Sequence, residues 1–391
     1  MKTATRCVQL DKEDQFGSVS PPIYQTATFC QPTATEFGEY DYSRSGNPTR
    51  TQLEKKLAKL EYAEFAAAFA SGMAALTAVS RLLESGDEII ASDDLYGGSV
   101  RLLEEILPRQ GISVRYVDAT NLPEIILAIT PRTKLILVET PTNPFLRVSN
   151  IREIANTAHA RGVLLAVDNS MLSPCLQNPL KHGADIVIHS ATKFLCGHSD
   201  ITGGCIVTNH VEIHKQIAFV QNAEGAALGP FDSWLLLRGL KTLALRVEHQ
   251  SSSAQKVAEF LVEQPGVRKV YYPGLQNHAG HDIHSRQASG AGSVISFTTG
   301  DAKLSKRIVE ATGLCSIAVS FGSVNSTISL PCHMSHASIP DKLRDRLAPP
   351  ADLIRLSVGI EDVDDIIADL ANAFAIAHKA DELGNARFAL A

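Results

Sequence analysis

The feature that most constrains this chain is a repeated alternation of short apolar runs with stretches of helical character. EIIAS (88–92), VRYVDA (114–119), KLILVET (134–140), VLLAVDN (163–169) and DIVIHS (185–190) read as strands, because continuous apolar runs of this length suit a sheet buried on both faces. TQLEKKLAKLE (51–61), the segment from Met73 and IREIANTAHA (151–160) read as helices between them. Strands alternating with helices predict an α/β fold with a mostly parallel sheet between helices and a site at the strands' carboxyl ends. After a long helical stretch (238–264) and the Pro265-Gly266 break, strand-like GSVISFTT and LIRLSVG and a terminal helix (363–380) predict a smaller α+β domain. The expected division is an arm over 1–50, a large domain over 51–247 and a C-terminal domain over 248–391.

Two of the strands end in residues with chemistry. Asp168 closes VLLAVD, and Lys193 follows DIVIHS within ADIVIHSATKFLCGHSD (184–200), beside Ser190 and Thr192. A lysine desolvated at a strand end has a lowered amine pKa and becomes a nucleophile or base. A Schiff-base lysine and an acid facing a pyridinium nitrogen are the two partners that pyridoxal phosphate (PLP) requires. Each residue also has a plainer reading: a solvated cation for Lys193, a helix N-cap for Asp168. Ser190-Ala191-Thr192-Lys193 also spells S-x-x-K, but the S-D-N and K-T-G companions of that nucleophile motif are absent. Ser71, Gly72 and Met73 open an alanine-rich helix, where free N–H groups and the positive dipole end suit a phosphate. Tyr42 and Arg44 lie in DYSRSGNPTR, an irregular segment, and Arg44 has the forked donors that fit phosphate. Arg355, in the apolar stretch DLIRLSVG, needs an anion, either a structural carboxylate or a substrate's.

Composition narrows the function classes. The 391 residues carry a net charge of −6 with both signs mixed throughout, which argues against nucleic acid as the main partner. No apolar h-region opens the chain and no run of about eighteen apolar residues occurs, so a soluble, cytoplasmic enzyme is expected. Seven scattered cysteines without C-x-x-C give no disulfide framework or zinc pattern. His278, His281 and His284 recur every third residue, a spacing that does not keep all three on one helical face; no metal site is expected.

Read in order, YDYSRSGNPTR, FASGMAAL, DLYGGS, ETPTNP, AVDNS, DIVIHSATKF, GHSD and LIRLSVGIED resemble the trans-sulfuration group of PLP enzymes over about residues 25–374. The resemblance implies PLP fold type I, the aspartate aminotransferase-like architecture, and PLP as cofactor. It implies that Lys193 carries the cofactor, that Asp168 partners the ring nitrogen, and that Tyr96 stacks on the ring and takes part in catalysis. Ser71, Gly72, Met73, Ser190 and Thr192 would hold the phosphate. Tyr42 and Arg44 would reach it from the neighbouring subunit of a homotetramer built as a dimer of dimers. Asn143, Ser320 and Arg355 resemble the residues around the α-amino-acid end of the substrate.

The segment AVSFGSVNSTISLPCHMSHASIP (318–340) bears on the choice among relatives. Many γ-synthases and γ-lyases resemble S-L-G-G-x-E-S-L there, with a glutamate where Asn325 stands. SIAVSFGSV, PCHMSHASIP and DNSMLSP look most like the plant-type β-lyase branch, although that pattern often carries lysine at the Asn325 position. The resemblance therefore implies β-elimination of L-cystathionine, with γ-lyase or γ-synthase activity and a PLP-binding scaffold without turnover as the alternatives, and with Asn325 and Arg101 as candidates for the far end of the substrate pocket. Arg101 also reads as an exposed helix arginine.

Overall fold

The computed structural model describes residues 1–9, 15–337, 339 and 341–388. Seven strands form the larger sheet: β1 (Phe65–Phe69), β2 (Glu88–Ser92), β3 (Ser113–Val117), β4 (Thr133–Glu139), β5 (Leu164–Asp168), β6 (Ile186–Ser190) and β7 (Gly204–Thr208). Their order is β1-β7-β6-β5-β4-β2-β3. All neighbours run parallel except those of β7, which is antiparallel to both β1 and β6. The apolar runs at 88–92, 114–119, 134–140, 163–169 and 185–190 all fall on strands of this sheet. All but the run on the edge strand β3, which is half buried, are buried along most of their length, as a sheet covered on both faces requires.

Two strands are additions to the sequence reading. FAAAF, which forms β1, is rich in the best helix former, yet its last four residues are buried in the sheet edge-on to β7. Tertiary burial overrides propensity there. The expected long helix over 238–264 is two helices, Pro230–Leu240 and Leu243–Val262. Arg246 bridges the break, donating to the Gly239 carbonyl at 2.9 Å and to the Phe194 carbonyl at 2.9 Å. It thereby ties the segment just after Lys193 to this helix.

A second sheet follows, with β8 (Lys269–Tyr271), β9 (Val294–Thr298), β10 (Ser316–Ile317), β11 (Thr327–Ser329) and β12 (Leu353–Ser357) in the order β10-β11-β12-β9-β8. Helices Leu243–Val262, Ala302–Ala311 and Val363–Phe388 contribute to its own apolar core around Phe297, Ile308 and Phe374. The expected boundary at 247/248 falls inside helix Leu243–Val262.

The first fifty residues are only partly an arm. A short helix, α1 (Thr3–Val8), packs on α2 (Pro48–Leu60) and on helix Leu243–Val262, with Cys7 wholly buried. Residues 15–47 carry no helix or strand beyond an isolated Thr28–Tyr42 bridge, and they expose Phe16, Val19 and Phe37. Among the described residues no helix is long and apolar enough to cross a membrane.

Candidate active site

The carboxyl ends of β4, β5 and β6 deliver three groups to one cavity of about 490 Å³, which lies between the two sheets. Pairing across the parallel strands sets Glu139 beside Asp168, and Asp168 beside Ile188. Strand ends favour this use because the ladder stops there and side chains are free to face a ligand.

Lys193 lies three residues beyond β6, its backbone N–H donating to the Ser190 carbonyl at 3.1 Å. Its ammonium Nζ donates to Ser320 Oγ at 2.5 Å and lies 4.6 Å from the centre of the Phe321 ring. Burial, with Arg355 second, pushes the amine down to about 7, against the opposing pull of Asp168 and Glu139. Asp168 Oδ1 accepts from the Ser170 backbone N–H at 2.9 Å. Burial raises this carboxyl, while the Ser170 hydrogen bonds and nearby His189 and Lys193 resist the rise.

The phosphate end is built around α3 (Gly72–Ser80). Ser71 caps this helix, its Oγ accepting from the Ala74 N–H at 3.0 Å. A Cβ on Gly72 would come 3.0 Å from Ser190 Cβ, and one on Gly204 would meet the Ser71 carbonyl at 2.3 Å. Only glycine at these two positions leaves the helix N-terminus open beside Ser190 and Thr192. Gly203 N–H donates to Thr192 Oγ1 at 3.0 Å, which fixes that hydroxyl's loop. Met73 also lines the cavity. An open helix N-terminus, two hydroxyls, a desolvated lysine and a buried carboxylate fit PLP in donor set and in charge. Tyr96, 41% exposed, lines the same cavity, and Gly98 allows its ring to lie close: a Cβ there would be 2.4 Å from Tyr96 Cε1.

On the opposite wall Arg355, 2% exposed, projects from the middle of β12. Its Nη1 donates to Asn143 Oδ1 at 2.8 Å and its Nη2 to the Ser320 carbonyl at 2.8 Å. Both acceptors are neutral, and among the described residues no carboxylate lies within ion-pair distance of this guanidinium. Burial lowers its pKa to about 10. Among the described residues, therefore, the structural carboxylate that the sequence left open as a partner does not pair with it. His336 Nε2 meets the Asn143 carbonyl at 3.2 Å, bracing the residue that holds Arg355. Ser320 adopts φ +80°, a left-handed backbone that turns its hydroxyl to Lys193 and its carbonyl to Arg355.

The sequence-derived candidates thus converge, with three exceptions. Tyr42 and Arg44 are exposed and do not line this cavity; Arg44 Nε donates to Asn222 Oδ1 at 3.1 Å. Asn325 is exposed and stands outside the cavity walls, whereas Arg101 lines the cavity while remaining exposed. The sequence reading overlooked Glu139, which is 4% exposed, together with Ser170, Phe321 and Ser335. Glu139 had a usable signal, since it ends an apolar strand just as Asp168 does. The three histidines at 278, 281 and 284 bond separately, and no group able to hold a metal occurs among the described residues.

Comparison with known proteins gives the chain a family. The sequence pattern of the Cys/Met metabolism PLP-dependent enzymes matches residues 4–375. The chain is 56% identical over 372 residues to a chloroplastic cystathionine β-lyase of Arabidopsis thaliana, covering 95% of this chain and 80% of that one. It is 58% identical over 360 residues to a chloroplastic cystathionine β-lyase of Mimosa pudica, covering 92% and 79%. The crystal structure of a cystathionine γ-lyase from Lactobacillus plantarum complexed with L-serine superposes with a TM-score of 0.94 at 41% identity, covering 97% of this chain and all of that one. With its lysine, carboxylate and phosphate cradle in one cavity, this chain belongs to the family of Cys/Met metabolism PLP-dependent enzymes.

Proposed function

We propose that the chain is a carbon–sulfur β-lyase that cleaves L-cystathionine to homocysteine, pyruvate and ammonia. The observation that carries the reading is Arg355, a buried guanidinium with only neutral acceptors, facing a desolvated amine across one cavity. An amino acid's carboxylate supplies the missing anion and is gripped by the forked donors. Asn143 and the Ser320 carbonyl keep the fork oriented, so the substrate's Cα is presented toward Lys193. When bound, PLP supplies an electron sink for the charge that deprotonation leaves at Cα. Lys193, neutral above about pH 7, takes the Cα proton and carries it onward, as a general base with a pKa near the operating pH should. Ser320 Oγ, 2.5 Å from that amine, steers it between the two walls. Asp168 would face the ring nitrogen, Tyr96 the ring, and Ser71, Gly72, Met73, Ser190 and Thr192 the phosphate.

Arg101, at the exposed rim, is the cation available to the distal carboxylate of cystathionine. The exposure of Tyr42 and Arg44 supports a role in a neighbouring chain's phosphate site within a homotetramer. A γ-elimination reading is favoured by the likeness to a γ-lyase structure, and product analysis separates the two. Incubation of the holoenzyme with L-cystathionine should yield pyruvate and homocysteine; release of 2-oxobutyrate and cysteine instead would overturn the β-lyase assignment.

A further inference from the structure

Glu139 is a buried acid with no ion-pair partner among the described residues, and it belongs to no role given so far. It ends β4 in direct register with Asp168 on β5, so the two side chains leave the same face of adjacent parallel strands. The backbone of Tyr96, in the loop after β2, faces its carboxyl. The other charged groups facing it are Asp94 from the loop after β2, Arg355 from β12 and Lys193 after β6. Arg355 gives one N–H of each Nη to Asn143 and Ser320 and makes no ion pair with Glu139.

Two carboxylates side by side in a desolvated site cannot both ionise at small cost. Asp168 is the one that accepts the Ser170 N–H and has Lys193 nearby, so of the two it is the better placed to keep the negative charge. We propose that Glu139 is a positioning residue that works as an un-ionised acid. Its O–H is offered to the Asp168 carboxylate, its in-register neighbour. One proton then fixes the carboxylate that partners the ring. The inference rests on the roles proposed above for Tyr96 and Asp168.

Glu139→Gln keeps a donor and an acceptor but cannot ionise, whereas Glu139→Ala keeps neither. The unfolded wild-type chain ionises Glu139 above about pH 4.5, and the folded chain holds it neutral, with its carboxyl pushed well above that value by burial. Its contribution to stability is therefore complete below that pH and is lost as pH rises toward the folded pKa. In thermal unfolding of the full-length holoenzyme, the Tm of Glu139→Gln minus that of wild type should grow by about 3 °C or more between pH 5 and 8. Turnover should fall about 100-fold in Glu139→Ala, with at least tenfold of it recovered in Glu139→Gln. A Tm difference that stays flat with pH, or a glutamine variant as impaired as the alanine variant, would overturn the proposal. If the alanine variant does not fold, the unfolding comparison still decides. The unfolding result does not depend on which keto acid the enzyme releases, so its failure is separable from failure of the β-lyase reading.

Discussion

The two sheets supply the cavity in opposite ways. The seven-stranded sheet delivers Glu139, Asp168 and, just beyond Ser190, Lys193 from the carboxyl ends of three adjacent parallel strands. Side chains at that edge leave the ladder by topology alone. The five-stranded sheet delivers Arg355 from the centre of β12, where every residue of the strand is buried and its registered neighbours are the small residues Ser329 and Ser296. One sheet places groups where charge is tolerated; the other carries a charge through its own interior. The second arrangement costs stability until an anion arrives, which is the physical basis for proposing Arg355 as the group that meets the substrate's carboxylate.

Removing the strand-end group is the harshest way to test the contrast. Lys193→Ala should abolish keto-acid release and the absorbance near about 420 nm that a lysine-bound cofactor gives. A variant retaining both would remove the seven-stranded sheet from the chemistry. The mid-strand group should behave differently. Arg355→Met should raise KM and lower kcat/KM by about 100-fold or more, since a buried charge-assisted pair is worth about 3–5 kcal/mol when broken. Yet its unliganded Tm should stay level or rise, because an apolar isostere relieves a guanidinium that has only neutral acceptors. A fall in Tm of several degrees would mean that Arg355 is part of the scaffold.

Much of this was legible in the sequence, and the illegible parts share a cause. Strands of the large sheet show as apolar runs because both faces are buried, and their ends mark Asp168 and Lys193 directly. The partners of Arg355 do not show in the residue pattern itself and come only through the family resemblance, because Asn143 lies 212 residues away on the other sheet's side and Ser320 lies 35 away, between β10 and β11. Asn325 lies off the cavity for the converse reason. It is near Ser320 in sequence, but Gly322 takes φ +81° against Phe194, and Asn325 ends up exposed outside the cavity. Glu139 was hidden by ambiguity: an acid at a strand end looks alike whether it is an N-cap, a ligand or a neutral donor.

The lysine's environment can be read without turnover. In the cofactor-free protein Lys193 titrates near about 7 when folded and near 10.5 when unfolded, so between those values the unfolded chain binds one more proton. Stability should therefore rise with pH across that window, by up to about 1.4 kcal/mol per unit at its steepest. Denaturant unfolding of wild type and Lys193→Met should diverge accordingly, the variant lacking the rise. Parallel curves would mean that the amine is solvated and that the strand end does not desolvate its cargo.

The mildest test addresses the phosphate end, where the strand-end rule is reinforced by close packing. A Cβ added at Gly72 would sit 3.0 Å from Ser190 Cβ and 3.1 Å from Ser190 Oγ, tight enough that β6 or α3 must yield by a few tenths of an ångström. The cradle tolerates that adjustment poorly, since Ser190 and the start of α3 line one cavity and would face the same phosphate. Gly72→Ala should therefore weaken PLP binding about tenfold, on the order of 1.4 kcal/mol, with little change in kcat once the cofactor is saturating. Equilibrium titration of the cofactor-free variant measures it. An unchanged affinity would mean that the phosphate is held by the hydroxyls of Ser190 and Thr192 alone, and that the helix N-terminus only closes the wall behind them.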